Sequence, residues 1–413
     1  VAEGARRPAW AEVDLDAIEH NAGVLASIAA PARLCAVVKA DAYGHGAVGV
    51  ARAALAGGAS ELAVAIVDEG VELRDARIAA PILVLSEPGA DAMSEVYAYG
   101  LVPTVYSQEG LELARRAARG RPDGAGARPA PVEVKVDTGM HRVGVAPAEL
   151  VALLGALHEC PELELNGLWT HLAVADEPDS DVTARQLDCF AAARAELQAA
   201  GLPPPRRLHA ANTAGAVSWP ASRFDLVRCG IGLYGYSPSA ALTPMLAAAT
   251  SAAGHREGLR PALSWVARVA FVRELGAGER VSYGLKAPLP ARSLVATVPL
   301  GYADGIPRSY FTGGGEVLVN GRRRRLAGTV TMDQILVDCG DDFSVAPGDE
   351  VVLIGEQGGD RLTADDWART LGTISYEVVT RIGPRVPRTY RRRSPADREA
   401  SGGPHRQGAG GNA

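Results

Sequence analysis

Cysteine is scarce in this 413-residue chain. The five that occur (Cys35, Cys160, Cys189, Cys229 and Cys339) are scattered, odd in number and without a CxxC pair. That excludes a disulfide scaffold and a structural zinc site; no metal is expected, and a reducing compartment is the simple reading. There is no basic excess either: Lys+Arg number 42 against Asp+Glu 48, a formal net charge of −6. Nucleic acid or an anionic membrane would favour the opposite balance, so neither is expected as a partner. Aromatic residues make up only 5%, so much of the core must be Ala, Val and Leu. Long apolar runs are missing as well. The opening VAEGARRPAWAEVDL has no apolar h-region, and residues 240–254 are broken by Thr, Pro and Ser. No uncleaved secretory signal and no membrane span is read, and the expected location is cytoplasmic.

The rest of the composition is ordinarily globular, 47% hydrophobic and 22% charged, in a chain long enough for a barrel-sized unit and a second domain. Short apolar runs fall at 33–38, 62–67, 81–85, 102–106, 132–137, 165–171, 207–210 and 225–228. Continuous apolar runs suit strands buried on both faces, as in parallel sheets. The segments between them, such as 107–119 and 182–200, are rich in Ala, Leu, Glu and Arg and read as helices. Eight strand–helix alternations point to a (β/α)8 barrel over 12–245, although a doubly wound sheet shares the pattern. After that the texture changes. Runs at 266–272, 294–298, 316–319, 335–338 and 350–354, separated by Gly, Pro and Asp, read as a strand-rich domain over 246–390. Residues 119–131 read as a surface loop, and 391–413 as a disordered basic and glycine-rich tail. The arginine runs at 322–325 and 391–393 read as solvated faces.

The first barrel strand runs straight into Lys39, followed by ADAYGHG. A lysine at the rim of a barrel can lose its charge through partial burial and then bond to a carbonyl as a Schiff base. A strand-end lysine that merely snorkels is an equal alternative from the residues alone. Gly44 and Gly46 suit a tight turn into the next helix. At the ends of the seventh and eighth strands, Asn212-Thr213 and Gly230-Ile231-Gly232 offer a hydroxyl and close backbone N–H groups, where barrels often bind phosphate. Turn chemistry alone would also account for them.

The segment VVKADAYGHG closely resembles the cofactor-attachment segment of alanine racemases. The resemblance continues in order from about residue 8 to 390: KVDTGMHRVG, GLWTHLAVADE, HAANTA, VRCGIGLYG, VSYG, GYADGIPR, TMDQ and ISYE. It implies an N-terminal (β/α)8 barrel with a C-terminal mainly-β domain, and pyridoxal 5'-phosphate held by Lys39. By the same resemblance Tyr43, Thr213, Gly230, Ile231 and Tyr376 bind the phosphate, with Asn212 beside them. Arg228 faces the pyridine nitrogen, backed by His209, and His171 lies against the cofactor. Arginine stays protonated and can only donate, which leaves the ring a weaker electron sink. Arg142 lies near the cofactor's phenolic oxygen and the substrate carboxylate, supported by Lys135, which many family members carry as a carbamate. Met332 offers its N–H to the substrate carboxylate, and Tyr302, Arg308 and Asp333 stand at the site and its entrance.

Racemisation needs a base on each face of a planar carbanion. The resemblance assigns Lys39 to one face and Tyr283 to the other, the tyrosine arriving from the second subunit of a homodimer with shared active sites. A tyrosine ordinarily keeps its proton to about pH 10, so a hydrogen-bond network must help it. Thr213 stands where many relatives have Ser, Thr331 where many have Cys, and Cys229 where Pro is common. The expected activity is interconversion of L- and D-alanine, supplying D-alanine for peptidoglycan. A racemase of broader or serine preference, and a non-catalytic cofactor carrier, are the alternatives. A decarboxylase on the same architecture would favour an acidic partner for the ring nitrogen, which Arg228 contradicts.

Overall fold

The computed structural model describes residues 7–121 and 128–392. Its first strand, β1 (Ala9–Asp14), is followed by eight short strands that alternate with helices: β2 (Arg33–Val37), β3 (Glu61–Val64), β4 (Ile82–Val84), β5 (Val102–Val105), β6 (Ala130–Lys135), β7 (Leu163–Trp169), β8 (Arg207–His209) and β9 (Leu226–Cys229). These eight pair in parallel in the order β8-β7-β6-β5-β4-β3-β2-β9. The two ends of that path meet. Asp225 N–H donates to Leu208 O (3.1 Å) and Arg228 N–H to Ala211 O (2.9 Å), so the sheet is a nearly closed barrel.

Side chains alternate across each strand. Leu34, Ala36, Leu62, Val64, Ile82 and Val84 pack into one core with helix residues such as Ile18 and Leu25. Their neighbours Cys35, Val37, Ala63, Leu83, Val102 and Leu226 form a second cluster inside the barrel. Both faces are apolar here, which is why these strands read as continuous runs. Helix starts follow local chemistry. Asp14 accepts from the N–H groups of Asp16 and Ala17 to open the helix Leu15–Ala29, and Ser107 caps Gln108–Arg119.

The second domain holds β10 (Leu263–Arg268), β11 (Phe271–Leu275), β12 (Ser293–Val298), β13 (Glu316–Val319), β14 (Arg322–Arg325), β15 (Ile335–Asp338), β16 (Glu350–Gln357), β17 (Asp360–Leu362) and β18 (Arg388–Arg391). One sheet runs β14-β13-β16-β10-β1-β18, with β17 on β16, and a second runs β11-β12-β15. The first strand of the chain therefore lies in the second domain's sheet, antiparallel to β10 and parallel to β18.

Several expectations need adjustment. The barrel unit expected from residue 12 includes the end of β1, which belongs to the other sheet. The expected division at 245/246 falls inside the helix Thr243–Ala252. The single run expected at 266–272 is two strands in different sheets. The arginine run 322–325 keeps the expected solvated face at Arg322, Arg323 and Arg325, but it is also a strand, with Arg324 held on Asp342. Arg391 is not tail: it ends β18 and binds Asp14 at 2.7 Å. Residues 393–413, like the loop residues 122–127, lie outside the described residues. No helix among the described residues is long and apolar enough to cross a membrane.

Candidate active site

Where β2 ends, Ala40, Asp41, Ala42 and Tyr43 all have φ between 51° and 53°, a left-handed turn made of non-glycine residues. Such backbone is strained and must be held from outside. The Glu69 carboxylate accepts from Ala40 N–H (2.6 Å) and Ala65 N–H (2.7 Å), and Asp41 accepts from Ala47 N–H (2.7 Å). Gly44 and Gly46 continue the turn at φ 79° and 92°, as their positions in the sequence suggested. The turn fixes Lys39 at the barrel rim. Burial, and then the positive charge of Arg142, lower the Lys39 ammonium's pKa against the pull of Glu69.

Lys39 opens onto a cavity of about 500 Å³. One end is built from Tyr43, Tyr376, Asn212, Thr213, Gly230 and Ile231. Asn212 caps the helix Thr213–Ser218 by accepting from Gly215 N–H (2.9 Å). The Thr213 hydroxyl accepts the N–H groups of Gly230 (3.1 Å) and Gly232 (3.4 Å), which leaves its own O–H as a donor. Ile231 begins a short 3-10 turn, Ile231–Tyr234, so its N–H has no partner within that turn. Gly230 leaves the Tyr43 hydroxyl its place: a Cβ would come within 2.3 Å of it. Burial pushes the Tyr43 phenol up to about 12, so it stays a donor.

At the other end stands Arg228, buried. Its guanidinium donates to Thr170 O (2.8 Å), Ala210 O (3.1 Å), His209 Nδ1 (2.7 Å) and His171 Nδ1 (3.2 Å), and lies 4.6 Å over the Trp169 ring. Burial lowers its pKa to about 10, so it remains charged at neutral pH. An arginine can only donate, so both histidines accept at Nδ1. Burial, then Arg228, Arg142, Lys135 and Lys39, drive the His171 pKa well below its ordinary value. His171 is therefore neutral, with its N–H at Nε2.

Lys135 is buried, donates to Val143 O (2.6 Å) and sits 5.3 Å over Trp169. Burial, with Arg142 and Arg228 nearby, lowers its pKa to about 8. The cavity thus gathers Lys39, Tyr43, Lys135, Arg142, His171, Asn212, Thr213, Arg228, Gly230, Ile231 and Tyr376, with His209 directly behind Arg228. Tyr283, Tyr302, Arg308, Met332 and Asp333 are not among its lining residues. Tyr283 is 73% exposed and lines a separate hollow with Ser282, Gly284, Thr331, Gln334 and Leu336. Tyr302, Arg308, Met332 and Asp333 are exposed on the same domain, Asp333 holding Arg385 at 2.7 Å.

Residues 13–238 match the alanine racemase N-terminal domain and 262–390 the C-terminal domain of the same family. The chain belongs to the alanine racemase family. It is 46% identical over 385 residues to an alanine racemase of Symbiobacterium thermophilum, covering 93% of this chain and 97% of the relative. An alanine racemase of Thermobifida fusca is 44% identical over 389 residues, 92% and 98% of the two chains. Two crystal structures superpose closely. That of alanine racemase from D-cycloserine-producing Streptomyces lavendulae has a TM-score of 0.84 at 39% identity, covering 94% and 98%. That from Bacillus anthracis with bound L-Ala-P has 0.85 at 36%, covering 94% and 96%. The protein is accordingly a pyridoxal phosphate-dependent isomerase that interconverts L- and D-alanine.

The residues present fit that cofactor. A phosphate needs several hydrogen-bond donors and no nearby carboxylate, which the Tyr43, Tyr376, Thr213 and Ile231 end supplies around Gly230. An aldehyde needs an amine that can lose its proton; the cavity holds two lysines of lowered pKa, Lys39 and Lys135, and of these the Lys135 ammonium is already engaged by Val143 O. Among the described residues, no group of three or more His, Cys, Asp or Glu is placed to hold a metal ion.

Sequence reasoning missed Trp169, Glu69, Glu133 and Arg207. The ring of Trp169 lies under both Lys135 and Arg228, and Glu69 holds the strained turn. Glu133 alternates with Lys135 inside the otherwise apolar strand VEVKV, and a charge at an inward strand position was the available signal for it.

Proposed function

We propose that Lys39 and Tyr283 are the two bases of this racemase, and that Tyr283 of the partner subunit of a homodimer completes each cavity. The observation that carries this is the separation just described: Lys39 lines a deep cavity, while Tyr283 stands 73% exposed in a hollow of its own. A second copy laid against the exposed Tyr283, Tyr302 and Met332 would bury them and bring a phenol to a cavity mouth.

Pyridoxal phosphate, when bound, supplies the electron sink that makes the substrate's α-proton removable. The chain's own residues do the rest. Tyr43, Thr213, Ile231 and Tyr376 hold the phosphate, and Arg228 donates to the ring nitrogen without protonating it. Arg142 and the Met332 N–H orient the substrate carboxylate, with Lys135 behind Arg142. Its lowered pKa suits an amine that takes up carbon dioxide and becomes an anion paired with Arg142. Lys39 Nζ takes or returns the α-proton on one face and the Tyr283 hydroxyl on the other. His171, neutral and held by Arg228, is placed to accept from or donate to that hydroxyl through Nε2. The barrel thereby carries most of the cofactor's contacts, while the second domain adds Tyr376 to the phosphate end and carries the second base. D-alanine made this way serves peptidoglycan synthesis in the cytoplasm.

Subunit mixing tests the shared site. Lys39→Ala and Tyr283→Phe proteins, each inactive, are mixed in equal amounts after dissociation. Sites built across two chains leave one intact site in each mixed dimer, so activity returns to about one quarter of wild type. Sites built within one chain leave none, and no recovery would refute the assignment. Incubation with L-alanine in heavy water checks the chemistry: D-alanine carrying α-deuterium is expected.

A further inference from the structure

Behind Arg228 the barrel interior holds a chain of charged side chains that no step above uses. Strand register assembles it. Thr104, Glu133, Gly167 and Arg207 pair in one row across β5 to β8, and Lys135, Trp169 and His209 in the next. Cys35 pairs with Glu61 on one side and Arg228 on the other. Glu61, Glu133, Arg207, His209 and Arg228 are all buried. Gly167 makes the room: a Cβ there would lie 2.9 Å from the Glu133 carboxylate and 3.2 Å from Arg207.

The hydrogen bonds have a direction. Arg207 donates from one nitrogen to both oxygens of Glu61 (2.7 and 2.6 Å), and from Nε to Glu133 Oε1 (2.7 Å). Its remaining terminal nitrogen also binds Glu133 Oε1. The other oxygen of Glu133 lies 2.8 Å from His209 Nε2, and His209 Nδ1 lies 2.7 Å from Arg228. A carboxylate accepts and a guanidinium donates, so the imidazole between them carries its proton on Nε2. Two buried carboxylates face two buried guanidiniums, with the exposed Arg33 also 3.7 Å from Glu61, and the imidazole is neutral. Burial works against the Glu133 charge, but His209 and then Arg207 hold its carboxyl down at about 2. Burial brings His209 itself to about 4, against the pull of Glu133. At neutral pH, therefore, the Arg207 charge and the His209 N–H keep Glu133 ionised.

We propose that Glu133 is a positioning residue for the cofactor: by fixing the His209 tautomer it holds the Arg228 guanidinium on the pyridine nitrogen, with Arg207 as its buried counter-charge and Glu61 as the second carboxylate on Arg207. This rests on placing Arg228 at that nitrogen. Glu133→Gln is the revealing change because an amide has one oxygen only. Arg207, with two N–H groups and a full charge, takes it, and the amide NH2 then turns to His209 Nε2. The imidazole proton must move to Nδ1, where it meets the Arg228 N–H head-on, and the guanidinium is pushed off the ring.

The test compares wild type, Glu133→Gln, Glu61→Gln and Arg228→Leu as holoenzymes. Nitrogen-15 NMR of the histidines, with His209→Asn assigning the signal, reads the tautomer. The pH titration of the bound cofactor's absorbance reads the ring nitrogen's partner. In wild type, His209 is expected to carry its proton on Nε2. In Glu133→Gln the two nitrogen signals exchange character and the absorbance titration shifts as it does in Arg228→Leu. There kcat falls about 10-fold or more, the size of one lost charged hydrogen bond. Glu61→Gln loses stability but leaves both spectra at wild type. A proton on Nδ1 in the wild type overturns the proposal outright, whether or not the variant folds. So does a Glu133→Gln spectrum identical to wild type while Arg228→Leu shifts, or an equal shift in Glu61→Gln. If Arg228→Leu itself leaves the absorbance unchanged, the placement of Arg228 is wrong and the proposal falls with it.

Discussion

Replacing Gly230 with Ala puts one methyl group into the proposed phosphate end of the cavity. Its Cβ would lie 2.3 Å from the Tyr43 hydroxyl oxygen and 3.0 Å from Cζ, where ordinary contact begins at 3.4 Å. The hydroxyl must therefore retreat by roughly 1 Å, and it has little room to do so. The Tyr43 ring lies 4.8 Å from Tyr234 and 6.2 Å from Tyr376, and its backbone belongs to the left-handed turn. What is lost is a hydroxyl donating to a charged phosphate, about 1.5–3 kcal/mol, or roughly 10- to 150-fold in cofactor affinity. Titration of the cofactor-free protein with pyridoxal phosphate measures this, and the thermal midpoint of the cofactor-free protein checks that the fold survives. Tyr43→Phe should cost a similar amount by itself. The double variant should then lose much less than the sum, since both changes remove the same donor. An affinity of Gly230→Ala within about twofold of wild type would refute the cradle.

Two further outcomes concern stability. Lys135 has its pKa lowered from 10.5 to about 8 by burial and its arginine neighbours, so its charged form opposes folding below pH 8, and that opposition fades between pH 8 and 10.5. Lys135→Met should stabilise the cofactor-free protein by about 2 kcal/mol at pH 7 and by little near pH 10.5. Urea unfolding at both pH values checks the sign, and a loss of stability at pH 7 would mean that this lysine is an anion, as a carbamate would be. In the second domain, Trp367 donates to Leu353 O (2.7 Å) and stacks on Tyr310 at 3.7 Å. Trp367→Ala should cost about 3–5 kcal/mol, read as a lower thermal midpoint; an unchanged midpoint would show that this packing carries no weight.

Read alone, the sequence determined the barrel's eight strands, because strands buried on both faces are apolar on both faces and need no partner to be recognised. Lys39 is legible as a lysine where an apolar run stops, which a snorkelling side chain would also explain, and the proposed phosphate-end residues and Arg228 were marked by resemblance of motifs and not by any physical pattern. Several features were decided only in three dimensions. β1 joins a sheet whose other strands begin some 250 residues later (Ala9 pairs with Ala267), and nothing local in AWAEVD specifies that partner. At Val269 and Ala270 the backbone changes partner, Val269 N–H going to Asp349 O and Ala270 N–H to Thr297 O, so β10 and β11 enter different sheets, a choice that the continuous run does not display. The left-handed turn of ADAY opposes the intrinsic preference of those residues and exists because Glu69 and Asp41 hold it. Glu133, Arg207 and Glu61 are 74 and 146 residues apart in their pairings. Only the parallel register, with Gly167 leaving a gap, turns three separate strand charges into one buried chain behind Arg228. A charge in a strand is legible in sequence, but the countercharge that permits its burial is chosen by the closed barrel.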